Sequence, residues 1–220
     1  MLTLYHAPLT RSTRVRWLLE ELDVPHTVHP IDFFSDERST PEFRALSPQG
    51  RLPVIQDDDF VLFESGAIVE YLLDEYGNGR FQPGMSAKER APMLQWMHWG
   101  EATLLPPMDK ILEHGIIRPP EKRIAEVAEE GRAQTAECLE ALEAQLEKTK
   151  DKGPFILGEL TGADFVTFYG IWFAEILGEL ENSPNIKAYF EAFMARPKFQ
   201  AAMADSFEAV QVFTDMIPKK

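Results

Sequence analysis

The apolar pattern changes character near residue 80, and that change limits what the chain can fold into. Before it, short strand-like runs alternate with amphipathic helices; after it, nearly every segment carries the 3.6-residue period of a helix. Leu2 to Tyr5 reads as a strand. Val15, Leu18, Leu19 and Leu22 fall at helical spacing, so a first helix begins at Ser12 or Thr13. Thr27 to Asp32 reads as a second strand, with Pro30 inside it. Pro41 suits the first turn of a short helix that ends before Ser47-Pro48. Val54 to Gln56 and Phe60 to Phe63, joined by Asp57-Asp58-Asp59, read as a hairpin. Ile68, Val69, Leu72, Leu73 and Tyr76 then form the stripe of another helix. The first part is an α/β unit.

The breaker-rich stretch from Gly77 to Gly84 reads as a linker, and Ser86 with Glu89 matches a capping box that opens a new helix. The expected boundaries are residues 1–79, a linker over 80–85, and an all-helical bundle over 86–220. Long helices are expected over about 87–113 and 121–150, with Pro106-Pro107 kinking or interrupting the first. Ala163 to Leu177 is apolar nearly all round, the mark of a helix at the bundle centre, and Thr161 with Asp164 can cap it. With 220 residues the chain can bury a substantial core.

Composition narrows the function classes. A net charge of −14 argues against nucleic acid or an anionic membrane as partner, since both demand neutralising cations. No apolar run approaches the ~20 residues that span a bilayer. No basic segment precedes an apolar one at the start, so no secretory signal is expected. The single cysteine, Cys138, excludes an internal disulfide and suits a reducing compartment; a cytoplasmic location is expected. No His/Asp/Glu cluster has metal-ligand spacing, and no nucleotide-binding glycine motif occurs.

Chemistry concentrates in two nearby segments, Gly50-Arg51-Leu52-Pro53-Val54-Ile55 and Phe63-Glu64-Ser65-Gly66-Ala67-Ile68. A proline opening a strand fits only an edge, an entry point or a bulge. A cis Leu52-Pro53 bond would turn the Leu52 N–H and C=O outward for a ligand. Ser65 at a helix N-terminus sets unpaired N–H groups beside a hydroxyl, a setting that favours a carboxylate. Glu64 adds a counter-charge for an ammonium. Together they can hold an amino acid by both charged ends.

These segments resemble the glutathione site of the cytosolic glutathione transferase superfamily. The likeness extends through Leu2-Thr3-Leu4-Tyr5, the run Ser12 to Leu22, and Ser47-Pro48-Gln49-Gly50. It continues in Gly153 to Gly158, Thr161 to Asp164, Pro184 to Tyr189 and Ala195 to Phe199. The resemblance implies a thioredoxin-like N-terminal domain followed by an all-α bundle, glutathione as co-substrate, no metal, and a homodimer. The homodimer would pack through the helix after Ser65 and the first long bundle helix. It also implies that Glu64 and Ser65 hold the γ-glutamyl end and the Leu52-Pro53 backbone the cysteinyl peptide, with Arg51 and Arg38 near the glycyl carboxylate.

A free thiol of pKa ~8.5 needs only ~1.4–2.7 kcal/mol of differential stabilisation to become one to two units more acidic. The loop Pro8-Leu9-Thr10-Arg11-Ser12-Thr13 offers a hydroxyl, a cation and a helix start for that purpose. By resemblance, one loop alignment brings Arg11 and Ser12 to the position that contacts the sulfur; another favours Thr10. Ser12 ranks first, Thr10 second, Arg11 serves as electrostatic stabiliser, and Tyr5 is a fourth candidate. Ser12 also reads as a plain N-cap. A small hydrophobic electrophile is expected beside the first long bundle helix, with Trp99, Leu104 and Met108 as candidate lining. His6, His26, His29, His98 and His114 read as structural. The same fold also serves glutathione-dependent isomerases, dehalogenases, ether-cleaving enzymes, peroxidases and non-catalytic binding or regulatory proteins.

Overall fold

Strand β1 (Leu2–His6) lies inside a four-stranded sheet, flanked by β2 (His26–Pro30) and β3 (Val54–Asp57), with β4 (Phe60–Phe63) at the far edge. The computed structural model describes residues 1–84 and 86–214. Met85 of the expected linker and 215–220 of the expected second domain lie outside them. β1 and β2 run parallel, joined by α1 (Ser12–Leu22); β3 and β4 form an antiparallel hairpin against β1, with Tyr5 opposite Val54. β2 begins one residue earlier than expected and stops at Pro30.

The period of two along β1 decides what each face meets. Leu2, Leu4 and His6 point to the side covered by α1 and α3 (Ser65–Tyr76), and all three are buried. Tyr5 points to the other side, where it packs with Ile31, Val54 and Phe43 of α2 (Pro41–Leu46). Tyr5 is therefore a packing residue on the face away from α1, not a neighbour of the thiol-activating loop.

After the linker, helices take over. α4 (Ala87–Trp99) opens with the expected capping box, Ser86 and Glu89 each bonding the other's backbone. The expected helix over 87–113 is a single rod with two π-turns, Gly100–Leu104 and Glu113–Ile117, on either side of α5 (Leu105–Leu112). Pro106 and Pro107 sit in the first turn of α5, where a missing N–H does least harm, and the π-turn ahead of them absorbs the disruption. α6 (Ala125–Thr149) begins four residues later than the estimate, after a short 3₁₀ turn over Pro120–Lys122. α7 (Gly162–Ile176) is the buried central helix; α8 (Pro184–Met194) and α9 (Pro197–Thr214) complete the bundle. Asp164 accepts bonds from the N–H groups of Ile156 (3.0 Å) and Thr161 (2.7 Å), so this pair is structural, as its spacing suggests.

One side chain joins the two parts. Trp17 of α1 is completely buried, its ring 4.3–5.6 Å from those of Phe165, Phe168, Phe193 and Phe199. Its indole N–H donates to Glu21, which takes a two-pronged contact from Arg196 at 2.6 and 2.8 Å. Trp17→Ala is expected to destabilise the protein by about 3–5 kcal/mol through lost ring contacts and an unfilled cavity. Urea unfolding measures this; a loss under about 1 kcal/mol contradicts it.

α9 returns to the first unit through Asp205, which takes a 2.5 Å bond from Arg16 and lies 3.1 Å from the Nε2 of His6. Burial opposes ionisation of Asp205, but the His6 and Arg16 contacts prevail and draw its carboxyl down to about 2. An aspartate in the unfolded chain takes its proton near ~3.9. The stabilisation is therefore complete above that pH and is lost as pH falls toward about 2. The stability gap between wild type and Asp205→Asn should narrow on acidification from about pH 5 to about pH 3, and a pH-independent gap contradicts this origin.

Candidate functional site

A groove of about 260 Å³ opens where the sheet unit meets α4 and its π-turn, lined by Arg11, Ser47, Pro48, Gln49, Arg51, Leu52, Pro53, Phe63, Glu64, Ser65 and Glu101. Five of the six expected binding residues converge there: Arg51, Leu52, Pro53, Glu64 and Ser65. The Leu52-Pro53 bond is cis, and the Leu52 backbone N–H and C=O make no hydrogen bond to the described residues. Arg51 is exposed at the mouth, its chain held from below by the Ser47 hydroxyl, which accepts from the Arg51 N–H and donates to its C=O, both at 2.9 Å.

The turn that delivers this segment depends on Gly50. Its φ is +64°, and a Cβ there would lie 2.3 Å from the Arg38 carbonyl oxygen, so no side chain fits. Arg38 itself is absent from the groove lining. Its guanidinium donates to the carbonyls of Phe33 (2.8 Å) and Gly50 (3.3 Å) and stacks 4.1 Å over the Phe33 ring. The expectation that Arg38 meets a carboxylate is corrected: loop carbonyls occupy it, and it braces the turn below Arg51.

Glu64 stands at φ 73° and ψ 110°, a conformation rare for a residue with a Cβ, just before α3 starts. Such strain typically costs about 1–3 kcal/mol and is held only where surroundings enforce it. Its effect is to aim an exposed carboxylate into the groove beside the free N–H groups of the helix start.

Beneath the groove lies a charge cluster whose members the sequence offers singly but does not bring together. Arg14 of α1 is fully buried; its Nη1 donates to the Ser65 hydroxyl at 3.1 Å and contacts the Glu101 carboxylate directly. Arg11 pairs with the other oxygen of Glu101 at 3.2 Å and lies 3.8 Å from Asp109. Both guanidiniums face the ring of Tyr169, whose hydroxyl donates to the Leu9 carbonyl at 2.9 Å. Burial, with repulsion from Arg11, lowers Arg14 to about 9, still above neutrality, so the guanidinium stays charged. Nothing in the local pattern marks Arg14 and Glu101 as partners, because 87 positions separate them.

The thiol-activating loop also departs from its ranking. Ser12 has no exposed surface; its hydroxyl is 2.7 Å from His6 Nδ1, 2.6 Å from the Thr10 hydroxyl and 3.2 Å from the Ala7 carbonyl. It cannot touch a ligand. Thr10 precedes Arg11 but does not itself line the groove; it is partly exposed, and its hydroxyl donates inward to the Ala7 carbonyl at 2.8 Å. The candidates for the electrophile side fare differently again. Leu104 and Met108 are completely buried in the core, because the π-turn rotates this stretch of helix toward α7. Trp99 is half-buried against Trp96, ring centroids 4.9 Å apart, and lines no part of the groove. Among the described residues no group of side chains could hold a metal.

Residues 1–74 match the glutathione S-transferase N-terminal domain family and residues 108–197 its C-terminal domain family. The chain is 30% identical over 212 residues to glutathione S-transferase 1 of Triticum aestivum, covering 89% of this chain and 90% of that protein. It is 40% identical over 107 residues to glutathione S-transferase 3 of Schizosaccharomyces pombe, spanning 48% of this chain but only 43% of that relative. Among solved structures, a glutathione transferase family member from Pseudomonas fluorescens Pf-5, with two glutathione bound, superposes with a TM-score of 0.82 at 27% identity, over 92% of each chain. Two family matches that together span most of the chain, and a relative 30% identical over 90% of its own length, show that the chain belongs to the glutathione S-transferase family.

Proposed function

We propose that the protein is a glutathione transferase that binds glutathione in this groove and delivers its thiolate to a small hydrophobic electrophile. The observation that carries this reading is the convergence, in one groove, of Leu52 before its cis proline with Glu64 and Ser65 at the start of α3. Glu64 pairs with the γ-glutamyl ammonium, and Ser65 with the N-terminus of α3 takes the adjacent carboxylate. The Leu52 backbone bonds the cysteinyl peptide, and Arg51 meets the glycyl carboxylate. This places the sulfur toward Thr10, whose hydroxyl turns from Ala7 to donate to it, while Arg11 adds positive charge at the start of α1. The thiol proton leaves to water, and the bound thiolate attacks the electrophilic carbon, forming the C–S bond as the leaving group, chloride for a chloroaromatic, departs as an anion. Catalysis is then stabilisation of the thiolate plus positioning.

A homodimer fits the exposed Phe60 and Phe63 on the edge strand β4, where unpaired backbone and apolar rings lie together. A cytoplasmic setting fits the single, buried thiol of Cys138, which burial pushes up and away from reactivity.

Two substitutions test the site. Thr10→Val should raise the pKa of bound glutathione, read by thiolate absorbance, by about one unit and lower turnover of a chloronitroaromatic substrate roughly tenfold. Glu64→Gln should weaken glutathione binding by about tenfold or more and leave that pKa in place. A wild-type protein that retains glutathione but turns over no electrophile contradicts the enzymatic reading.

A further inference from the structure

The loop hydroxyls are one end of a chain of contacts, buried at His6 and Ser12, that runs from the loop to α9. Asp205 Oδ2 lies 3.1 Å from His6 Nε2, His6 Nδ1 lies 2.7 Å from Ser12 Oγ, and Ser12 Oγ lies 2.6 Å from Thr10 Oγ1. His6 is 2% exposed and Ser12 not at all, while Asp205 and Thr10 at the two ends are partly exposed. The charged groups touching the imidazole are Asp205 of α9 and Arg16 of α1, the latter 3.4 Å from Nε2 and itself bonded to Asp205. α9 also reaches the loop directly, where the Leu9 N–H donates to the Ser206 hydroxyl at 3.4 Å.

Proton counting gives the chain a direction. Asp205 is a carboxylate, so the proton between it and His6 sits on Nε2. Ser12 has one proton and three neighbours that can take it, of which the Ala7 carbonyl at 3.2 Å is the farthest. When His6 Nδ1 is bare, Ser12 donates to it, and Thr10 can only donate inward, to Ser12 or Ala7. When Nδ1 carries a proton, it donates to Ser12, Ser12 donates to Thr10, and the Thr10 proton is free for an acceptor in the groove. The Asp205 contact at Nε2 fixes the ring so that Nδ1 faces Ser12.

We propose that His6, backed by Asp205, is a positioning residue for thiol activation, which through Ser12 turns the Thr10 hydroxyl proton outward to the glutathione sulfur. Neither residue meets the substrate. The inference rests on the reading of Thr10 as the sulfur contact, and it makes α9, 199 positions from His6, part of the apparatus that sets thiol acidity.

The test is titration of the thiolate absorbance of protein saturated with glutathione, for wild type, Asp205→Asn, His6→Leu and Thr10→Val, with glutathione affinity measured alongside. Asp205→Asn keeps the side-chain shape and removes the charge. It should raise the bound thiol pKa by about one unit, with affinity within about twofold of wild type, and His6→Leu should do the same. If Thr10→Val raises the pKa while Asp205→Asn leaves it unchanged, the inference is overturned and the transferase reading stands. If Thr10→Val leaves it unchanged as well, both the relay and the assignment of Thr10 fall. Should His6→Leu not fold, Asp205→Asn decides alone. Loss of affinity or thermal stability in Asp205→Asn without a pKa change marks a purely structural chain and also overturns the proposal.

Discussion

A guanidinium with no access to water governs how this molecule is assembled. Arg14 is wholly buried, and an isolated charge there would be prohibitive. It is tolerable because Glu101, Ser65 and the Tyr169 ring surround it, and those come from the π-turn after α4, the start of α3, and α7. Removing one partner of such a pair typically costs about 3–5 kcal/mol, so the sheet unit and the bundle have little freedom to separate at this point. The groove is a consequence. Its walls are the same elements, held in register by a charge that none of them could bury alone.

The π-turn deserves its place in that account for a mechanical reason. Within and just past the turn, Leu104 and Met108 face the core while Glu101 stays at the interface. Gly100 permits the approach: a Cβ there would come within 2.9 Å of the Thr167 hydroxyl on α7. On a protein of net charge −14, the groove still carries Arg11 and Arg51 at its rim. Beside Glu64, these guanidiniums suit a ligand with carboxylates as well as an ammonium, and their planar shape matches carboxylates as well as their charge does.

What the sequence made legible was what depends on neighbours in the chain. The alternation along β1, the stripe of α3, the capping boxes at Ser86 and Thr161, and the Leu52-Pro53 and Glu64-Ser65 segments all follow from local pattern, and the structure has each of them. What escaped depends on distant partners or on helical phase. Ser12 and Thr10 are two positions apart, and only the placement of His6 shows which hydroxyl is sealed inside. Arg38 and Arg51 look equivalent as cations until the Phe33 and Gly50 carbonyls claim one of them. Leu104 and Met108 would face differently on a regular helix. His6 reads as a structural histidine because its carboxylate partner lies in the last helix.

The central claim is that the groove recognises glutathione by its γ-glutamyl end, through Glu64, Ser65 and the N-terminus of α3. Calorimetric titration with glutathione and with the dipeptide cysteinylglycine, which lacks that end, tests it most directly. Glutathione should give a saturable heat and bind at least about tenfold more tightly than the dipeptide, since a charge-assisted clamp contributes at least about 1.4 kcal/mol. Equal binding of the two, or no heat from glutathione at millimolar concentration with folded protein, would contradict it.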